Sequence, residues 1–214
     1  MRRADLAMYA AKSGGRARHA WFEPSLDERA AERAWLQSEL PGAIARDELV
    51  LHFQPRVAAG SRCLASVEAL VRWQHPQRGL IPPMQFVPLA EETGQVEVLG
   101  RWVLDAACRQ QRQWRDAGAA VPRMAVNVSA LQLAAPDFAG QVLAALQRHG
   151  LQPCDLELEL TESLFAGDAD ELCARLQPLR DAGVLVALDD FGTGFSSLSS
   201  LHRLPVDVLK IDRS

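Results

Sequence analysis

From residue 49 onward the chain alternates short apolar runs with longer stretches of helical periodicity. The runs cover residues 49–57, 64–73, 124–129, 156–161, 184–190 and 206–211. Helical patterns lie at about 84–92, 95–117, 137–149, 168–182 and 196–203. Such alternation specifies βα units and a mainly parallel sheet, because successive parallel strands need a long crossover and a helix supplies it. The first pair of runs departs from this. Only residues 58–62 separate them, too few for a crossover, so this pair is expected to be antiparallel. A chain of 214 residues with 48% apolar content can bury the core this needs, as one large domain or two small ones.

Each of five runs carries a polar group at or near its end. The run 184–190 closes on Asp189-Asp190 and a Gly-rich turn, Phe191-Gly192-Thr193-Gly194. These residues alone leave two readings open: a helix cap with a polar turn, or a pair of carboxylates that share a cation. Glu68 lies in the second run, Asn127 at the end of the third, Glu157 and Glu159 in the fourth, and Lys210 and Asp212 at the sixth. Residues i and i+2 of a strand share a face, so Glu157 and Glu159 point the same way, as do Lys210 and Asp212. In parallel α/β proteins chemistry collects where strands end. Carboxylate and amide oxygens converging there suit Mg²⁺ or Mn²⁺, and no His-x-x-x-His or Cys cluster offers zinc.

Composition removes other classes. A net charge of −4 without a basic face argues against binding polymeric nucleic acid. The four cysteines, Cys63, Cys108, Cys154 and Cys173, form no CxxC pair and read as reduced, mostly buried thiols of a cytoplasmic protein. No apolar run reaches the roughly 18 residues of a membrane span. The apolar stretch after Met1-Arg2-Arg3 is ended by Lys12, too early for a signal peptide.

Before residue 49, residues 3–13 read as the last turns of an amphipathic helix closed by Gly14-Gly15, and residues 14–25 as a domain boundary. Ser25-Leu26-Asp27-Glu28 has capping-box spacing and opens a helix over about 26–40, which Pro41-Gly42 should break or kink. A short turn to Arg46 follows. His52, His75 and His202 read as surface or packing residues, and Trp73, Trp102 and Trp114 as core. Glu91-Glu92 read as a solvated helix end.

Taken together, the motifs resemble the EAL family of cyclic di-GMP phosphodiesterases. The residues that carry this are Phe53-Gln54-Pro55, Glu68-Ala69-Leu70-Val71-Arg72-Trp73, Pro88-Leu89-Ala90-Glu91-Glu92-Thr93-Gly94, Asn127-Val128-Ser129, Glu159-Leu160-Thr161-Glu162, Asp189 through Leu198, and Leu209-Lys210-Ile211-Asp212. In addition, Ala4-Asp5-Leu6-Ala7-Met8-Tyr9-Ala10-Ala11-Lys12 with Gly15-Arg16-Ala17-Arg18 is similar to the C-terminal end of a GGDEF (diguanylate cyclase) domain. The resemblance implies a GGDEF remnant over residues 1–20, a linker and helix start over 21–29, and an EAL domain over 30–214.

The fold it implies is an α/β protein, a modified TIM-type barrel whose first strand runs against the others. Its activity is hydrolysis of one phosphodiester bond of cyclic di-GMP to give linear pGpG. By the family pattern Glu68, Asn127, Glu159 and Asp189 hold one metal, and Asp189 and Asp190 serve a second, Mg²⁺ or Mn²⁺ in each case. Lys210 orients or deprotonates the attacking water, with a pKa expected to be depressed beside two metals. Arg72 grips a phosphate, and Gln54, Leu70 and Asp212 contact substrate. Glu162 braces the loop after Asp190, and that loop couples metal binding to dimerisation.

About six of the eight strands of such a barrel are expected here, with a further metal-binding Glu beyond Ser214, so the chain reads as a piece of a longer GGDEF–EAL protein. An open barrel leaves the sixth strand's edge unpaired, which favours aggregation or pairing with another chain. Two functions follow: a phosphodiesterase, or a truncated module that binds cyclic di-GMP without catalysis or acts through dimer and partner contacts. Membrane anchoring through segments upstream is compatible with either.

Overall fold

The computed structural model describes residues 24–162, 164, 169–192 and 204–211. The expected GGDEF remnant, the helix at 196–203, His202 and Asp212 lie outside the described residues, as does nearly all of the expected boundary at 14–25.

Helix α1 spans Pro24–Ala43. It is already helical at Pro24, so Ser25 lies inside it rather than capping it. It also runs through Pro41, two residues beyond the expected break. Proline removes one hydrogen bond and crowds the preceding turn. Burial of Leu36, Leu40 and Ala43 in the core outweighs that loss. Asp47, at φ 53°, takes the left-handed position that turns the chain, and the Glu48 N–H returns to the Ala43 carbonyl at 3.0 Å.

The chain continues through β1 (Leu49–Val57), β2 (Leu64–His75), β3 (Gly79–Ile81), α2 (Pro83–Glu92), α3 (Val96–Asp116), β4 (Met124–Asn127), α4 (Ala130–Ala134) and α5 (Phe138–Arg148). A 3₁₀ turn, Pro153–Asp155, leads into β5 (Leu156–Thr161), followed by α6 (Ala169–Ala182), β6 (Leu185–Phe191) and β7 (Val208–Ile211). The strands form one sheet in the order β1-β2-β4-β5-β6-β7, with β3 paired to β2. The first pair is antiparallel, as its short loop requires. From β2 onward, each pair along that path is parallel. Pro55 sits in β1, an edge strand of this path, where a missing N–H is tolerated.

The central parallel strands β4 and β5 are covered on both faces. Met124, Ala125 and Val126 of β4 are all buried, as is every residue of β5 up to Leu160. β4 is accordingly apolar up to Asn127, whereas β5 buries Glu157 and Glu159 among its leucines. On β2, Trp73 is fully buried and stacks on Trp35 with ring centroids 6.0 Å apart. Phe86 meets it edge-on at 5.8 Å. The Trp73 indole N–H donates to the Glu48 carboxylate at 2.9 Å. His75 is buried against both tryptophans, His52 is exposed, and Trp114 meets Phe53 edge-on at 4.7 Å. Trp102 and Trp114 are packed against the core but only half-buried. Glu92 pairs with Arg33 of α1, so the end of α2 is tied to α1 as well as solvated.

The cysteines depart from expectation. Only Cys108 is buried; Cys63 and Cys154 are exposed and Cys173 is half-buried. The reason is local: Cys63 lies in the turn between β1 and β2, and Cys154 in the 3₁₀ turn. Burial pushes the Cys108 thiol up to about 12. In native protein at neutral pH a maleimide is therefore expected to modify Cys63 and Cys154, and to reach Cys108 only after denaturation. Peptide mass spectrometry reads this directly, and native labelling of Cys108 would show that the core opens.

Candidate active site

Five strands each send one polar side chain to a common point: Glu68 from β2, Asn127 from β4, Glu159 from β5, Asp189 from β6 and Lys210 from β7. Parallel register sets Asn127 beside Glu159. The Asn127 amide donates to Glu68 Oε1 at 3.0 Å. Lys210 Nζ donates to Glu159 Oε2 and Asp189 Oδ2, both at 2.7 Å, and to Glu68 Oε2 at 3.3 Å. Glu159 is buried at the centre of this group, whereas Asn127 is exposed at its rim.

A bulge in β6 sets the two aspartates apart. Three residue steps along β6, from Leu188 to Phe191, match two along β7, from Leu209 to Ile211. The extra residue falls at Asp189-Asp190, and Asp190 takes φ 55°. Bulges re-aim side chains in this way near sites. The Asp190 N–H donates to Asp189 Oδ1 at 2.9 Å, which leaves Oδ2 to Lys210. Asp190 is exposed and is not part of the compact oxygen cluster. Past the bulge, Gly192 at φ 103° donates its N–H to Glu162 Oε2 at 3.0 Å. Glu162 itself is buried.

The electrostatics follow from burial. Desolvation pushes the Glu159 carboxyl up to about 7; its hydrogen bond from Lys210 opposes this, and the charge of Glu68 adds to it. For Lys210, burial lowers the pKa, but the carboxylates of Asp189, Glu159 and Glu68 outweigh it and the net direction is upward. The upward direction belongs to the three acids that face the ammonium; the depressed pKa expected from the family pattern concerns a lysine beside two cations.

The expected substrate residues are spread around this point. Gln54 is exposed on β1, paired in register with Glu68. Leu70 lines a cleft of about 560 Å³ together with Asn127 and Thr161, and Glu91 lies on its wall. Arg72 shares a face of β2 with Glu68 and Leu70, and its NH1 group donates to the Val71 carbonyl at 2.8 Å. Two further charged groups escaped the sequence reading as site residues. Below the cluster Arg56 of β1 meets Glu157 and Glu159, and Arg123 meets Glu157. The shared face of Glu157 and Glu159 was the available signal that a cation must lie beneath them.

The donor set fits a hard divalent cation. Glu68, Glu159 and Asp189 each offer one oxygen, all within 4.8 Å of one another, and the Asn127 amide lies beside them. Glu159 Oε1 is buried without a hydrogen-bond donor among the described residues.

Residues 37–214 match the family model described as EAL domain. The chain belongs to the EAL domain family. Its likeness to individual EAL proteins is close. It is 51% identical over 210 residues to the bifunctional diguanylate cyclase/cyclic di-GMP phosphodiesterase MucR of Pseudomonas aeruginosa, covering 98% of this chain and 31% of MucR. It is 44% identical over 213 residues to the cyclic di-GMP phosphodiesterase PdeR of Escherichia coli K12, covering 100% of this chain and 32% of PdeR. The chain thus spans about a third of the length of these curated relatives. Among solved structures, the PaMucR phosphodiesterase in complex with c-di-GMP superposes with a TM-score of 0.80 at 52% identity, covering 84% of this chain and 72% of that one. The mostly parallel sheet with its reversed first strand is accordingly the TIM-barrel-like fold of EAL domains. No helix among the described residues is long and apolar enough to cross a membrane.

Proposed function

We propose that this chain is the catalytic module of a cyclic di-GMP phosphodiesterase and opens one phosphodiester bond to give linear pGpG. The observation that carries the reading is the convergence of Glu68, Glu159, Asp189 and Lys210 from four separate strands, in a chain whose relatives are named for that activity. Glu68, Asn127, Glu159 and Asp189 would hold one Mg²⁺ or Mn²⁺, and Asp189 with Asp190 would serve a second. When bound, such cations neutralise phosphate charge and acidify water.

The chain's own groups do the rest. Lys210 orients or deprotonates the attacking water through Nζ. Arg72 turns from the Val71 carbonyl to grip a phosphate with its fork. Gln54, Leu70 and Asp212 contact the substrate. Glu162 holds the Gly192 N–H and so braces the segment after Asp190, through which two copies dimerise. The segment before α1 is the end of a GGDEF domain, and the protein works in the cytoplasm.

A second reading, a module that binds cyclic di-GMP without cutting it, draws on one observation: Asp190 lies outside the oxygen cluster, which leaves a second cation short of ligands. Turnover with Mn²⁺, followed by chromatography of pGpG beside a Lys210→Ala control, separates the two. Product that the control does not make supports the phosphodiesterase. Binding of cyclic di-GMP by folded protein with no product supports the module.

A further inference from the structure

Beneath the carboxylate cluster, Arg56 makes contacts that no role so far described absorbs. It lies on the edge strand β1, two residues from Gln54 and on the same face. Its guanidinium reaches Glu157 on β5, 101 residues further along the chain. NH2 donates to Glu157 Oε1 at 2.5 Å, and NH1 lies 2.9 Å from Glu159 Oε1. Arg123 takes the other Glu157 oxygen at 3.2 Å, and Lys210 the other Glu159 oxygen at 2.7 Å. Each oxygen of both buried glutamates is thereby matched to one cationic group, and a single fork joins the two acids.

The approach of NH1 to Glu159 Oε1 is a charge contact rather than an aligned hydrogen bond, since that oxygen has no hydrogen-bond donor. It is nevertheless the contact that fixes which way the carboxylate faces on this side. The terminal torsion of a glutamate is broad, so a carboxylate held at one oxygen alone rotates readily.

We propose that Arg56 is a positioning residue: its fork fixes the rotation of Glu159, presents Oε2 to the space between Glu68 and Asp189, and so governs how tightly that cluster holds a divalent cation. This rests on the reading of the cluster as a divalent-cation site. Groups that orient metal ligands typically contribute 10–100-fold to metal affinity. A guanidinium can join two carboxylates, whereas a lysine ammonium keeps the charge but not the fork.

Arg56→Lys therefore separates positioning from charge. Mn²⁺ binding to the 214-residue chain is measured by calorimetry, and melting is followed in EDTA. The expected result is that Arg56→Lys melts within a few degrees of wild type without metal, while its Mn²⁺ dissociation constant rises by about tenfold. Wild-type affinity in folded Arg56→Lys overturns the proposal. If that variant does not fold, Glu157→Ala, which removes the fork's second anchor and leaves Glu159 intact, replaces it: weakened Mn²⁺ binding is expected, and unchanged binding overturns the proposal. Failure of wild-type protein to bind Mn²⁺ is a different outcome, which overturns the cation site itself and the role of Arg56 with it.

Discussion

Glu159→Gln leaves the chain folded but strips it of Mn²⁺ binding, and cyclic di-GMP turnover falls by on the order of 10³-fold or more. The size follows from the several kcal/mol that cations contribute to phosphoryl chemistry, at tenfold per 1.36 kcal/mol. The substitution changes charge and almost nothing else. Glutamine has the same shape, and its carbonyl still accepts from Lys210. The remaining cations keep partners: Arg56 retains Glu157, and Lys210 retains Asp189 and Glu68. Folding is therefore spared, which a metal-free melting curve checks. Glu159 is the most sensitive position of the cluster because its side chain is fully buried, whereas those of Glu68 and Asp189 are partly exposed. Water can replace a lost ligand at the rim more easily than at the centre. Calorimetry with Mn²⁺ reads the outcome, and wild-type affinity in Glu159→Gln would remove Glu159 from the ligand set.

The same burial explains why so much of this site was legible before any coordinates. An acid, amide or lysine at the end of an apolar run interrupts a strongly biased pattern, and Glu68, Asn127, Glu159, Asp189 and Lys210 all do so. Runs 49–57 and 156–161 coincide with β1 and β5 to the residue. Other features had no such signature. Strand β3 has three residues, too few to show a period. Helix α4 has a capping box, Ser129 with Gln132, but the apolar run before it absorbed Ser129 into the strand.

Placement of Asp190 was hidden for a different reason. Alternation assigns faces along a regular strand, and the bulge at Asp189-Asp190 breaks that regularity through one backbone angle. Arg56 was hidden by distance. Its partners sit on a strand far along the chain, reached across the interior from an antiparallel edge strand, and no local pattern encodes a contact of that kind. The three acids around Lys210 were hidden likewise, because they meet only once the strands have converged.

Trp73→Ala is expected to cost about 3–5 kcal/mol, the range for removing a buried tryptophan. For a chain of this size that lowers the melting temperature by roughly 10 °C. Trp73 is fully buried, and three rings close around it: Trp35 in a near-parallel stack, Phe86 and His75 edge-on. Those rings come from α1, α2 and the end of β2 itself, so the indole is where both helices meet the outer face of the strand that carries Glu68. Alanine leaves a cavity with rigid aromatic walls, which cannot collapse to refill it. The indole N–H is a smaller part of the loss, because Glu48 keeps its hydrogen bonds from Arg46 when that donor goes. Trp73→Phe isolates that part and should fall well short of the alanine variant. Trp114→Ala, at a half-buried position against Phe53, should cost less than Trp73→Ala as well. Chemical denaturation of the three variants gives the order. A Trp73→Ala protein within about 1 kcal/mol of wild type would mean that α1 and α2 are not anchored through this ring, and the stack would have to be counted as contact without consequence.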